Sequence, residues 1–216
     1  ENSDIDEVHK ITYSSIKEDI PAEEYGKLIS GALRQERFQN PAEFNRVLPF
    51  YAVKPLYIWI SYICYSGGLS LPQSTVLPSI LSYLFIGLLL FHWLSMHHKF
   101  FFAFIAALLI MFSSVMIAMA RLSTPDCISA LFLFTAFYFI LERPSVIGAF
   151  LFLAASVFAR IDNTILVWLL LTFLFFSGKW AKKISLVQYM AMMVAIAGIY
   201  TGISAMTREY NWGLFY

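Results

Sequence analysis

Arg121 with Asp126, Arg160 with Asp162, and Arg208 with Glu209 each set an arginine within a few residues of a carboxylate, in otherwise apolar surroundings. A guanidinium grips phosphate or carboxylate oxygens through paired N–H bonds. Charges at membrane depth are costly and usually face a cavity or a partner. These residues therefore either line one polar cavity or end helices in water. A second concentration lies near the N-terminus, where Asp4, Asp6 and Glu7 place three carboxylates in four residues. Grouped carboxylates can hold a divalent cation through oxygen, and a single one can act as general base towards a sugar hydroxyl. The plain alternative is solvated acidic surface.

Other chemically capable residues carry less. His97-His98-Lys99 supplies two adjacent histidines with no further ligand near in sequence, too few for a metal site, and reads as a headgroup-facing loop. Cys64 and Cys127 sit among apolar residues and read as two buried thiols. The chain has no Gly-rich phosphate loop, no HExxH and no GxSxG.

The elements that must position these groups are apolar. The 216 residues are 59% hydrophobic and 18% aromatic, only 13% are charged, and mean hydropathy is +0.68. A soluble domain carries about 25% charged residues. Net charge is +1, which gives no electrostatic basis for a nucleic-acid partner. Ten of the 14 acidic residues precede Lys54, so a polar N-terminal part is followed by a greasy remainder.

The chain divides accordingly. Residues 1–54 read as a polar helical cap, with helix starts at Pro21 (Glu23 and Glu24 following) and at Asn40-Pro41. Residues 55–74 contain Tyr57, Trp59, Tyr62 and Tyr65 before Gly67-Gly68. That stretch is too short to span and rich in the aromatics that favour the headgroup level, so it reads as an interfacial amphipathic helix and loop. Residues 75–207 hold about six transmembrane helices, at 75–95, 100–120, 127–141, 146–159, 165–177 and 184–206. A 14-residue helix is about 21 Å long against about 30 Å of hydrocarbon. The short helices must therefore extend through the polar break at 160–163, or the break lies at membrane depth. Ala191, Ala195, Gly198 and Gly202 form a small-residue stripe suited to helix packing. Residues 208–216 begin a further loop, and the chain reads as a fragment of a longer polypeptide. The expected fold is an all-α polytopic membrane protein.

Alternation of six spans sorts the loops into two sets. One holds Lys99, Arg143, Lys179, Lys182 and Lys183, the other Arg121, Arg160 and Arg208, each beside an acid. The positive-inside rule puts the first set in the cytoplasm and faces the cap outward.

The order of these motifs resembles the membrane glycosyltransferases of the GT-C type, which use polyprenyl-phosphate-linked sugars. Protein O-mannosyltransferases, lipid A aminoarabinose transferases and bacterial arabinofuranosyltransferases belong to it. Asp4-Ile5-Asp6-Glu7 is similar to the family's acidic motif at the start of its first outward loop. Lys54-Pro55-Leu56-Tyr57 resembles the stretch that opens a surface helix, with the second proline absent. Leu77-Pro78-Ser79-Ile80-Leu81 resembles the start of the next span. Arg121 to Asp126 resembles an outer-face turn. Arg160-Ile161-Asp162 resembles an Arg-Pro-acid turn, with Ile161 in place of proline. Arg208 to Tyr216 resembles a later loop.

The resemblance implies a GT-C-like helical bundle with an outward N-terminal cap and an interfacial helix, in a bacterial inner membrane with the active side facing the periplasm. It implies transfer of a sugar from a polyprenyl-phosphate donor to a hydroxyl of a glycan, lipid or protein acceptor. Asp6 would be the base, with Asp4 second. Arg121, Arg160, Arg208 and Lys54 would contact the donor phosphate, and Asp126 and Asp162 would orient them or touch sugar hydroxyls. Apart from a divalent cation at Asp4, Asp6 and Glu7, no cofactor is implied. Two other readings stay open: a transporter or flippase subunit, and a non-catalytic scaffold of the same fold.

Overall fold

The structure, a computed structural model, describes residues 2–48, 53–143, 145–177 and 184–206. Arg208, the 208–216 loop, Lys179, Lys182, Lys183 and the side chain of Asp4 lie outside the described residues. Every regular element among the described residues is a helix.

The cap is built from α1 (Asn2–Asp19), α2 (Ala22–Ile29), α3 (Ala32–Gln39) and α4 (Pro41–Asn45). Its starts are the expected ones. Pro21 precedes α2, with Glu23 and Glu24 in the first turn. The Asn40 side chain accepts from the Ala42 N–H at 3.0 Å, with Pro41 at the first helical position. α2, α3 and α4 bury no residue. A ring cluster of His9, Tyr13, Phe38 and Phe44 holds the cap together, and His9 Nε2 lies 3.0 Å from the Arg37 carbonyl.

α5 (Pro55–Ser66) fills the place expected of the interfacial helix and stops at Gly67. Gly68 follows at φ +97°, where a side chain would be strained. One face of α5 packs inward through Tyr57, whose hydroxyl donates to the Thr75 carbonyl at 2.6 Å. The other exposes Ile58, Trp59, Tyr62 and Ile63.

Among the described residues two helices are long and apolar enough to cross a membrane, α6 (Leu71–His97) and α12 (Leu186–Met206). A third crossing exists if α7 (Phe100–Met111) and α8 (Ser114–Arg121) are taken as one. This corrects the expectation of about six spans. α6 starts four residues earlier than expected because Gln73 reaches back to the Ser70 N–H and Pro72 sits in the first turn. The expected continuous span over 100–120 is instead broken at Phe112-Ser113 and bent by 61°. Ser113 caps α8, its side chain accepting from the Met116 N–H. Tyr83 of α6 donates to the Met111 carbonyl at 2.8 Å, satisfying a group that the break leaves without a helical partner. Gly87 permits the approach, since a Cβ there would meet Met111 Cε at 3.2 Å.

α9 (Asp126–Leu141), α10 (Val146–Ala159) and α11 (Asn163–Phe176) have 16, 14 and 14 residues. α10 and α11 do not extend through the polar break; the helix stops at Ala159 and restarts at Asn163. Ala136, Ala149, Leu153, Val167, Leu171 and Ile196 form the main core between α9 and α12. Outward faces are apolar: Phe100, Leu109, Ile147, Phe176 and Val187 are each at least 70% exposed. Water would penalise such a surface by about 25 cal/mol per Å², whereas lipid does not. The apolar helices are those of a membrane protein.

α6 and α9 run in the same direction, pinned at both ends. At the start, Thr75 Oγ1 bonds Ser123 Oγ (3.2 Å) and Ser79 Oγ bonds the Thr124 carbonyl (3.1 Å). At the finish, Glu142 Oε1 accepts from Trp93 Nε1 and pairs with His97 Nε2, both at 2.8 Å. His97 thus joins two helices rather than lying in a headgroup-facing loop. The Trp93 and His97 bonds hold the Glu142 carboxyl below the usual carboxylate range. A lowered folded-state value means the pin is in force above the unfolded-state value of about 4.3 and is lost as pH falls through the folded one. Melting in detergent should fall more steeply below pH about 4 for the wild-type protein than for Glu142→Gln; equal slopes would remove Glu142 from the pH response.

Candidate functional site

The charged residues converge where α9 begins and α10 ends. Pro125 and Asp126 open α9, and the Thr124 hydroxyl donates to Asp126 Oδ2 at 2.7 Å. Arg160 follows the last residue of α10. Its Nη1 donates to Asp126 Oδ1, and its Nε and Nη2 donate to the two oxygens of Asp162, Nε at 3.1 Å. Lys54 immediately precedes α5, which is seated against the same corner through Tyr57, Ile128 and Ala159. Burial lowers the Lys54 ammonium from its ordinary range, Asp126 pulls it back up, Arg160 pushes it down, and Asp162 raises it. Lys54 therefore lies within the field of all three.

The turn between α10 and α11 is tightly bonded. Asn163 Nδ2 donates to Ser129 Oγ at 2.6 Å and to the Ser156 carbonyl at 2.9 Å. Thr164 Oγ1 donates to the Ile161 carbonyl at 2.6 Å. The sequence reading included Asn163 in the polar break but gave no site role to Asn163, Ser129 or Thr124. Asparagine directly after the Arg-x-Asp turn was the available signal.

The side chains of Arg160, Asp126 and Asp162 are 36%, 32% and 62% exposed, so the group is open on one side. Two cations and two carboxylates make it formally neutral. A guanidinium carries five N–H bonds, and three are engaged here. Among the described residues, one N–H on each terminal nitrogen has no partner and can meet an anion.

No family model, curated protein or solved structure matches this chain. The resemblance to GT-C enzymes rests on the order of motifs alone.

Four expected site residues, Lys54, Asp126, Arg160 and Asp162, are thus brought together. Arg121 ends α8 exposed, and forms no ion pair among the described residues. Asp6 and Glu7 are exposed on α1. The third expected ligand of the cation, Asp4, has its side chain outside the described residues. Among the described residues no group of three His, Cys, Asp or Glu could hold a metal ion.

Proposed function

We propose that this chain is the catalytic membrane part of a glycosyltransferase that moves a sugar from a polyprenyl-phosphate donor to an acceptor hydroxyl on the outer face of a bacterial inner membrane. The observation that carries the reading is Arg160, held between Asp126 and Asp162 with two N–H bonds that no described residue takes up. A lipid phosphate presented from the side would meet those bonds at the end of an apolar bundle. As the sugar leaves, charge develops on the phosphate oxygen, and oriented donors stabilise it. Asp126 and Asp162 keep the guanidinium aimed, and the more exposed Asp162 is placed to accept from sugar hydroxyls. Lys54 adds positive charge to the same field. Asp6 on α1 takes the proton of the acceptor hydroxyl as it attacks the anomeric carbon; the bond to the phosphate oxygen breaks and the lipid phosphate departs as the anion.

The 61° break between α7 and α8 favours a second reading, a transporter or flippase subunit, since discontinuous helices recur at transport sites. The two are separated by supplying membranes that carry the protein in its full natural length with a labelled panel of polyprenyl-phosphate sugars. Transferase activity predicts label in a new glycosidic product. Donor that crosses the membrane chemically unchanged identifies transport instead.

A further inference from the structure

Arg160 caps α10, its backbone N–H donating to the Ser156 carbonyl at 2.9 Å. It lies in a short break, and its register against Asp126 depends on what fixes the turn that carries it. Asp126 and Ser129 are three residues apart on α9, hence on one face. Arg160 bonds the first, and Asn163 bonds the second at 2.6 Å. The same Asn163 nitrogen donates to the Ser156 carbonyl in the last turn of α10, at 2.9 Å. Asn163 is itself the first residue of α11, so one amide ties three helices at the charged turn. Its anchors are inside: Ser156 is 0% and Ser129 4% exposed. The Ser156 hydroxyl is spent on the Leu153 carbonyl, and the Asn163 backbone N–H on the Arg160 carbonyl at 3.1 Å.

We infer that Asn163 is a positioning residue for Arg160: its bonds to Ser129 and Ser156 set the α10–α11 turn against α9, so that the Arg160 guanidinium meets Asp126 in one register and is held in a fixed orientation towards an oxyanion. No other residue type fits as well. Aspartate has the same shape but donates nothing when ionised, and glutamine moves the donor one methylene outward. The geometric part stands without the proposed activity; its effect on donor use rests on that reading.

The test separates the two. Coupling between Arg160 and Asp126 is measured by a double-mutant cycle of Arg160→Gln and Asp126→Asn on thermal unfolding of the intact protein in lipid–detergent micelles. The cycle is then repeated in Asn163→Ala, Asn163→Asp and Ser129→Ala backgrounds. A positioning role predicts that the coupling largely disappears with Asn163→Asp and weakens with Ser129→Ala. Asn163 as a mere helix tie predicts lower melting in every background with the coupling unchanged, and that result overturns the inference. Ser129→Ala leaves the Ser156 bond intact, so it yields a coupling even if the Asn163 variants do not fold; unchanged coupling there overturns the inference too. In the transfer assay, Asn163→Asp should raise KM for the lipid donor about tenfold, the size of one lost charge-assisted contact, and leave KM for the acceptor as it was. Absence of transfer in the wild-type protein would remove the glycosyltransferase reading while the coupling experiment still decides the role of Asn163.

Discussion

Membranes carrying Arg160→Ala are expected to transfer sugar about 10²- to 10³-fold more slowly than wild type, the range seen when an oriented donor to a developing anion is removed. The loss has two sources. The donor phosphate loses its bidentate contact, and Asp126 and Asp162 lose the cation between them. With that cation gone, two carboxylates face one turn, with Lys54 in their field. Breaking a fully buried pair costs about 3–5 kcal/mol. This group is a third to two-thirds exposed, so water screens it and a destabilisation of about 1 kcal/mol is expected. Activity should therefore fall much further than melting temperature. Arg160→Lys keeps the charge but cannot fork two carboxylates, and should fall between. Initial rates at equal protein level, with melting measured alongside, check the prediction. An Arg160→Ala protein that transfers at the wild-type rate would end the assignment of phosphate contact to this residue.

Asp6→Asn is expected to reduce the same rate by about 10²- to 10⁴-fold, the usual contribution of a general base. Asp6 is exposed on α1 and forms no salt bridge among the described residues, so its carboxylate is open to take a proton from an incoming hydroxyl. α1 also packs against α6, the helix that reaches the charged corner through Thr75 and Ser79. Substituting Asn at this position removes the base without altering shape or helical register, and melting should not change. Glu7→Gln supplies the control. Its side chain points about 100° away around the helix, and its loss should change the rate little. Equal losses for both variants would point to a general charge effect of the acidic segment rather than to one base. Full activity of Asp6→Asn would leave the transferase in place and move the base elsewhere, with Asp4 next in line.

Much of the fold was legible because its boundaries are written locally. Pro21 with Glu23 and Glu24, Asn40-Pro41, Pro55 and Gly67-Gly68 each act within one turn of the residue that carries the signal. The charged turn at 160–162 was legible as a break, since two polar side chains interrupt apolar helices. Its bonding was not, because Asp126 and Ser129 lie 34 residues away from Arg160 and Asn163. The break at Phe112-Ser113 was hidden for a related reason. Residues 100–111 are uniformly apolar, and the groups that stabilise the interruption, Tyr83 and Gly87, belong to α6. His97 was misread because a pair of histidines beside a lysine looks like surface, whereas its partner Glu142 is 45 residues distant. Span number was overestimated because apolar content says what a helix tolerates as surroundings, not how far it reaches.

The pairing of α6 with α9 has a mechanical consequence. Polar pins hold the two helices at both ends, about 24 Å apart along α9, and Tyr83, Ile86, Cys127 and Leu131 pack on the apolar stretch between them. Such a pair resists sliding, because a shift of one helix along the other lengthens the bonds at both ends together. Sliding of one helix along the other therefore has to break the bonds at both ends rather than stretch one of them. A proton or ligand that releases one end lowers the threshold for the other, as with a two-bolt clasp.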